Sequence, residues 1–312
     1  MTIDRRTLIG SGLALTAAAG AARAQTTAPT SPDPLTWPAR QTLNLWPKAP
    51  PGAPATRPAD RKGVDMPTLS VYRAAKPDGR AVLSIPGGGY SGVSVENEGS
   101  NIARALTPHG ISVFVLNYRL PIDGWTDRAN APVQDAQRAI RMIRSNAQSF
   151  GIDPNKVGIA GFSAGGHLGG VLATAYNDRV YAPIDRADEL PARPDFAGLI
   201  YPVSTLAARA THSVSAENLL GPKPDRADVA RLSPDVRVNP DMPPLFLVHA
   251  MDDPVVPVDM SLMLIAVARA AGVPVEAHLY EKGGHGFGVG NGENHPARGW
   301  ADRFAAWSAT HV

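Results

Sequence analysis

A serine flanked by two glycines, in the segment Gly161-Phe162-Ser163-Ala164-Gly165, follows directly on a short apolar run at residues 157–160. The run has the composition of a buried strand, and residues 166–175 can form a helix. A strand, a sharp turn and a helix in this order are typical of a nucleophile elbow, which exposes a serine hydroxyl at the end of a strand. The sequence therefore predicts Ser163 as the nucleophile of an acyl-transfer reaction.

A serine nucleophile needs a general base, and the chain contains eight histidines. His285 stands out because the segment Gly283-Gly284-His285-Gly286 comes directly after the last predicted strand, at residues 275–280. A base that follows the nucleophile late in the chain and lies at a strand end fits the order serine, acid, histidine. The sequence predicts His285 as the base.

The acid that orients the histidine should follow the predicted strand at residues 245–249, where Asp252 and Asp253 compete. Sites in open α/β sheets form at the carboxyl ends of the strands, and both residues lie there. We predict Asp253, because the run from Asp253 to Pro257 turns the chain sharply into the next helix and leaves Asp252 to face solvent. Asp252 stays an alternative, and both residues could instead be helix N-caps.

An oxyanion hole is expected in the loop Pro86-Gly87-Gly88-Gly89-Tyr90, which follows a predicted strand at residues 81–85. Glycine lets backbone N–H groups approach a tetrahedral intermediate with no side chain in the way. The predicted donors are the N–H groups of Gly88, Gly89 and Ala164. A glycine run by itself could equally be a plain turn.

Two aromatic residues near these loops, Tyr90 and Trp125, are candidates for substrate binding. Their rings could stack from the rim on a sugar or an aromatic acyl group, although aromatic residues beside loops more often pack in the core. Acyl transfer of this kind needs no metal and no organic cofactor. The expected partner is therefore a small-molecule or polysaccharide ester.

From residue 69 onward, short apolar runs alternate with helical patterns, which predicts parallel βα units and an α/β fold. Helices are predicted from Asn130 to Gly151, from Pro257 to Ala271 and from Trp300 to Trp307. Whether the long irregular segment at residues 177–195 covers the site is left open. The predicted strands lie at residues 42–46, 69–72, 81–85, 112–116, 157–160, 196–201, 245–249 and 275–280.

The N-terminal residues 1–24 have the pattern of a signal peptide. Arg5 and Arg6 precede an apolar run, and Ala22 and Ala24 provide small residues before a cleavage site at Gln25. The paired arginines favour the twin-arginine route, hence a periplasmic or secreted protein. Residues 25–58 are rich in proline and predict a tether and an extended strap, followed by a catalytic domain at residues 59–312.

Charge and cysteine content narrow the class of partner. The chain has a formal net charge of +2, which falls to zero without Asp4 and the three arginines of residues 1–24. A balanced surface argues against nucleic acid or an anionic membrane as the main partner. The chain has no cysteine, which excludes disulfides and thiolate metal sites.

From about residue 69 to the C-terminus the chain resembles bacterial α/β-hydrolase esterases of the acetyl esterase and bifunctional acetylxylan/feruloyl esterase (BD-FAE-like) family. One departure is Pro86, where many relatives have histidine before the glycines. Glu98, Gly99 and Arg119 also match, and we expect Glu98 and Arg119 to form an ion pair beneath the site. The other matching segments are residues 86–90, 117–120, 134–139, 161–167, 252–257 and 284–287.

The resemblance implies an eight-stranded, mostly parallel sheet with helices on both faces, and a triad of Ser163, Asp253 and His285. It also implies hydrolysis of short acyl groups, acetyl above all, from xylan or another plant carbohydrate. Alternatives are a feruloyl esterase, a serine peptidase of the prolyl oligopeptidase clan and, least favoured, a sugar-binding protein without catalysis. The peptidase ranks low because the large N-terminal domain of that clan is missing.

Overall fold

The structure is a computed structural model that describes residues 35–37, 39, 41–54, 56, 58–207, 213–290 and 292–312. The predicted signal peptide and the first part of the tether lie outside these residues. The strands are β1 Gln41–Asn44, β2 Thr68–Tyr72, β3 Ala81–Ile85, β4 Ser112–Asn117, β5 Val157–Phe162, β6 Ala197–Ile200, β7 Leu245–Ala250 and β8 Val275–Tyr280. The helices are α1 Asn101–Leu106, α2 Ala131–Ser145, α3 Ala147–Phe150, α4 Ser163–Thr174, α5 Ser213–Leu220, α6 Arg226–Arg231, α7 Pro234–Arg237, α8 Asp259–Ala270 and α9 Trp300–Ala309.

Within the described ranges, the strands form one eight-stranded sheet in the order β1-β2-β4-β3-β5-β6-β7-β8. The pairs β1–β2 and β2–β4 are antiparallel, and the five remaining pairs, from β4–β3 to β7–β8, are parallel. The predicted mostly parallel α/β sheet is therefore confirmed. Every predicted strand is present, with ends shifted by at most a few residues.

Both faces of the sheet are buried, which explains why its central strands are continuous apolar runs. In β4, Val113 and Val115 face the layer of α1 and α9, whereas Phe114 and Leu116 face the layer of α2, α4 and α8. Successive side chains of a strand point to opposite faces, so each strand contributes to two cores. Helices cover both faces, as the resemblance implied.

The helix predicted from Asn130 to Gly151 is interrupted: α2 ends at Ser145, and α3 ends at Phe150, followed by Gly151 in a left-handed conformation with φ 68°. The arginines of α2 are not on a solvated face, because the segment at residues 177–195 lies over that helix. Arg138 is buried and pairs with Asp188 at 3.0 Å. The helix is therefore in contact on two sides, with the sheet through apolar residues and with the segment at residues 177–195 through its arginines.

A buried ion pair joins the strap to the domain. Arg119, which follows β4, lies 2.8 Å from Asp135 on α2, and both side chains are fully buried. The Trp46 indole N–H donates to the same carboxylate at 2.8 Å, and Arg119 donates to the Pro51 carbonyl at 2.6 Å. The expected pair of Arg119 with Glu98 is wrong, because Asp135 already faces the end of β4.

We expect Asp135→Asn to destabilise the fold by about 3–5 kcal/mol, because it leaves the Arg119 charge buried without a counter-charge. Asp228→Asn is the matched control: Asp228 pairs with Arg231 at 3.0 Å but is half exposed, and its loss should cost below about 1 kcal/mol. Urea unfolding at neutral pH measures both. Equal losses of unfolding free energy in the two variants would show that the buried pair of Arg119 and Asp135 contributes no more than an exposed one.

Candidate active site

Four loops meet at one edge of the sheet, after β3, β5, β7 and β8. These strands are parallel, so their carboxyl ends lie together and form a crevice where ligands bind in open α/β sheets. The loops carry, respectively, the glycines after Pro86, Ser163, Asp253 and His285. The sheet therefore brings together residues that are far apart in the sequence.

Ser163 lies on a strained turn. Strand β5 ends at Phe162, α4 begins at Ser163, and the serine has a φ of +53°, a conformation that L-residues rarely adopt. A Cβ at Gly161 would stand 2.6 Å from the Gly165 carbonyl oxygen, and a Cβ at Gly165 would collide with the Ile85 and Pro86 carbonyls. The turn is possible because both flanking residues are glycines.

The predicted triad residues form one hydrogen-bonded chain. The Ser163 Oγ lies 2.9 Å from His285 Nε2, and His285 Nδ1 lies 2.7 Å from Asp253 Oδ2. A carboxylate only accepts hydrogen bonds, so Nδ1 carries the proton and Nε2 is left to accept from the serine hydroxyl. This is the tautomer that a general base needs.

Asp253, and not Asp252, faces the histidine. Asp253 is buried, and its Oδ1 accepts from the N–H groups of Val255 at 2.8 Å and Val256 at 2.9 Å. Burial by itself raises the pKa of Asp253. Hydrogen bonds from His249, His285 and the Val256 amide have the opposite and larger effect, so the pKa lies well below its usual range. Asp252 is exposed and accepts from the Gly284 N–H at 2.9 Å. It therefore supports from the solvent side the histidine loop, which is residues 283–288 after β8.

A second histidine touches the same carboxylate, and the sequence reasoning missed it. His249, fully buried at the end of β7, lies with its Nε2 3.2 Å from Asp253 Oδ2 and 3.0 Å from the Val256 carbonyl. Both are acceptors, so Nε2 carries the proton, while Nδ1 lies 2.8 Å from Ser261 Oγ. The spacing His249-x-x-x-Asp253 at a strand end was the signal available in the sequence.

The glycine loop, residues 86–90 after β3, lies against the serine. A Cβ at Gly87 would stand 2.8 Å from the Ser163 Cβ. The Gly87 N–H donates to Glu98 Oε2 at 2.6 Å, whereas no hydrogen bond among the described residues uses the N–H of Gly88 or Gly89. Ala164 is the second residue of α4, so its N–H has no carbonyl partner within the helix. All three predicted donors thus border Ser163 or the loop packed on it.

Glu98 is a buried carboxyl behind this loop, and it does not form the predicted ion pair with Arg119. Burial raises its pKa, against the opposing effects of hydrogen bonds from Gly87 and Tyr201 and of the nearby His285. The Tyr201 hydroxyl donates to Glu98 Oε1 at 2.8 Å and accepts from the Gly288 N–H at 3.0 Å. Its ring packs edge-on against the His285 ring at 5.0 Å.

Neither aromatic candidate lies on an exposed rim. Tyr90 is 1% exposed, and its hydroxyl lies 2.7 Å from His167 Nδ1, so the ring is part of the core behind the loop. Trp125 is 6% exposed and packs over the Arg119 guanidinium, whose Cζ lies 4.8 Å from the ring centroid. Trp125 also lines a cavity of about 160 Å³ together with strap residues such as Pro50 and Pro54.

Neither a cluster of metal-ligating side chains nor a membrane-spanning helix is found in the described part of the chain. It contains no group of three or more histidine, cysteine, aspartate or glutamate side chains placed to hold a metal ion. None of its helices combines the length and the apolar character needed to cross a bilayer.

The strand order and the serine at the turn between β5 and α4 define the class: the chain has the α/β-hydrolase fold. It belongs to the BD-FAE family, whose profile matches residues 69–267.

Named relatives agree with this family. The chain is 37% identical over 218 residues to an acetylxylan esterase of Xylanibacter ruminicola, covering 69% of this chain and 42% of that one. It is 36% identical over 212 residues to endo-1,4-beta-xylanase B of Butyrivibrio fibrisolvens, covering 68% and 33%. The chain thus spans less than half the length of these two relatives.

Among solved structures, the chain is similar to an acetyl ester-xyloside bifunctional hydrolase from Caldicellulosiruptor lactoaceticus. The two superpose with a TM-score of 0.76 at 34% identity, over 86% of this chain and 96% of that one. A propionate-bound esterase from Thermogutta terrifontis matches with a TM-score of 0.65 at 25% identity, over 80% and 92%.

The strain at Ser163 is testable through stability. We expect Ser163→Gly to be more stable than Ser163→Ala by about 1 kcal/mol, because alanine keeps a Cβ in the left-handed region. Both variants lose the bond to His285, so their difference reports the effect of a Cβ at this backbone conformation. At the exposed helical residue Ser145 the order should reverse, with glycine less stable by about 0.5–1 kcal/mol. Thermal unfolding gives both differences, and the same order at both sites would exclude a strained turn.

Proposed function

We propose that the chain is a serine carboxylesterase that hydrolyses short-chain acyl esters, acetyl above all. The observation that carries the proposal is the chain of hydrogen bonds from Ser163 Oγ to His285 at 2.9 Å and from His285 to Asp253 at 2.7 Å. It stands on a strained turn beside a glycine loop with unused amides. This arrangement supplies a nucleophile, a base and oxyanion donors in one crevice.

In the proposed mechanism His285 takes the proton of Ser163 as its Oγ attacks the ester carbonyl carbon. The N–H groups of Gly88, Gly89 and Ala164 hold the oxyanion of the tetrahedral intermediate. The intermediate collapses, and the alcohol leaves with the proton from His285. Water, activated by His285, then attacks the acyl-serine and releases the acid, while Asp253 orients the imidazole and stabilises its charged form.

The proposed natural substrate is an acetyl ester of xylan or another plant carbohydrate. The family and the names of the relatives, an acetylxylan esterase and an acetyl ester-xyloside hydrolase, support it. Residues 25–312 have a formal net charge of zero, which fits a neutral polysaccharide better than an anionic polymer. A feruloyl ester is the competing substrate, and comparing the hydrolysis rates of acetyl and feruloyl esters distinguishes the two.

The test is hydrolysis of p-nitrophenyl acetate, butyrate and octanoate, acetylated xylan and methyl ferulate. We expect the acetate and acetylated xylan to be preferred, and Ser163→Ala to lower kcat by about 10⁴-fold or more because the nucleophile is lost. Ser145→Ala, on the exposed end of α2, is the matched control and should keep full activity. Equal activity of the wild type and Ser163→Ala would refute the mechanism, whereas a preference for methyl ferulate would assign a feruloyl esterase.

We also propose that the protein is exported by the twin-arginine route, which would bring it to its polysaccharide. Expressed in a bacterium with that pathway, the mature protein should begin at Gln25 and lie outside the cytoplasm. Replacing Arg5 and Arg6 together by lysine should retain it inside at full length, because the paired arginines are the recognised signal. Arg23→Lys is the control that should still be exported; export of the double variant would rule the route out.

A further inference from the structure

A short turn next to the glycine loop contacts two loops of the site at once. The turn consists of Asn97 and Glu98 in the helical segment Glu96–Ser100. Glu98 binds the glycine loop through the Gly87 N–H at 2.6 Å. Asn97 binds the histidine loop, where its Nδ2 donates to the Gly286 carbonyl at 2.9 Å. Adjacent residues are thus attached to the two loops that flank the serine.

Tyr201 links the same turn to the histidine loop by a second route. Its hydroxyl donates to Glu98 Oε1 at 2.8 Å and accepts from the Gly288 N–H at 3.0 Å. Each oxygen of the Glu98 carboxyl is therefore committed to one loop, Oε2 to the glycine loop and Oε1, through Tyr201, to the histidine loop. The side chain is 4% exposed, so water does not compete for these bonds.

We propose that Glu98 is a positioning residue that fixes the glycine loop relative to His285, and so sets the oxyanion donors at their distance from the attacked carbonyl. The inference rests on the proposed esterase function. The Glu98 carboxyl accepts from the Gly87 N–H and the Tyr201 hydroxyl, and it acts through these two groups. Because oxyanion contacts strengthen only in the transition state, an error in their position lowers kcat more than it changes KM.

The carboxylate is needed for its two acceptors, and glutamine of the same shape cannot replace it. If the glutamine oxygen faces Gly87, its NH₂ group faces the Tyr201 hydroxyl, whose proton then loses its acceptor. If the oxygen faces Tyr201, the NH₂ group opposes the Gly87 N–H, donor against donor. Either way a donor, the Tyr201 hydroxyl or the Gly87 N–H, is left without an acceptor while the packing volume is unchanged.

The experiment compares kcat and KM for p-nitrophenyl acetate, together with the melting temperature, in four proteins. These are the wild type, Glu98→Gln, Tyr201→Phe and the control Glu96→Gln, which makes the same change at an exposed position two residues away. A misplaced oxyanion donor costs about 10–100-fold in rate, so we expect Glu98→Gln to lose that much in kcat with KM within about twofold. Glu96→Gln should match the wild type.

Tyr201→Phe keeps the ring against His285 and removes only the hydroxyl, so it tests the same link if Glu98→Gln fails to fold. We expect a kcat loss with unchanged KM there also. In the double variant, measured as a fifth protein, the kcat loss should be smaller than the product of the two single losses, because both single changes remove one shared bond. An active wild type with kcat unchanged in Glu98→Gln and Tyr201→Phe would overturn the inference alone. An inactive wild type would instead overturn the proposed function, and the inference with it.

Discussion

The turn at Ser163 is the constraint around which the rest of the site is arranged. It holds a non-glycine residue at positive φ, and it does so where the first turn of α4 presses against the end of β3. With no side chain at Gly161 or Gly165, strand, helix and glycine loop approach to contact distance. The position of the serine and that of the neighbouring amides are consequently fixed together, and the loops after β7 and β8 bring Asp253 and His285 within hydrogen-bond distance of that point.

The two buried carboxyls near that point differ because their neighbours differ. Asp253 accepts from two backbone amides and faces two histidines, and these donors outweigh burial and hold its pKa low. Glu98 has one amide and one tyrosine hydroxyl, and burial raises its pKa. The carboxyl beside the His285 imidazole thus has more donors than the one that joins two loops. Burial raises the pKa of both acids, and the donors around each decide whether its pKa ends above or below the ordinary value.

The strands and the residues that follow them could be predicted from the sequence, because apolar runs bounded by glycine and proline depend on local chemistry. Ser163, His285 and Asp253 follow from that placement, and the geometry brings them within hydrogen-bond distance. The partner of Arg119 could not be predicted: Asp135 and Glu98 were both acidic, and only packing decides which one faces the end of β4. For the same reason the role of Tyr201 and the buried position of Tyr90 became visible only in the folded structure, whereas the spacing of His249 and Asp253 was a signal that the sequence offered.

The bonds of the Asn97–Glu98 turn also bear on how such a protein can diversify. These bonds end on both the glycine loop and the histidine loop, so an insertion in either loop would leave a bonding partner in the turn unpaired. The three segments should therefore be inherited, or grafted onto another scaffold, as one module. Variation is then left to the periphery. One such place is the start of α5, where Val214 is 54% exposed and its Cγ1 would lie 3.7 Å from a Cβ at Gly89.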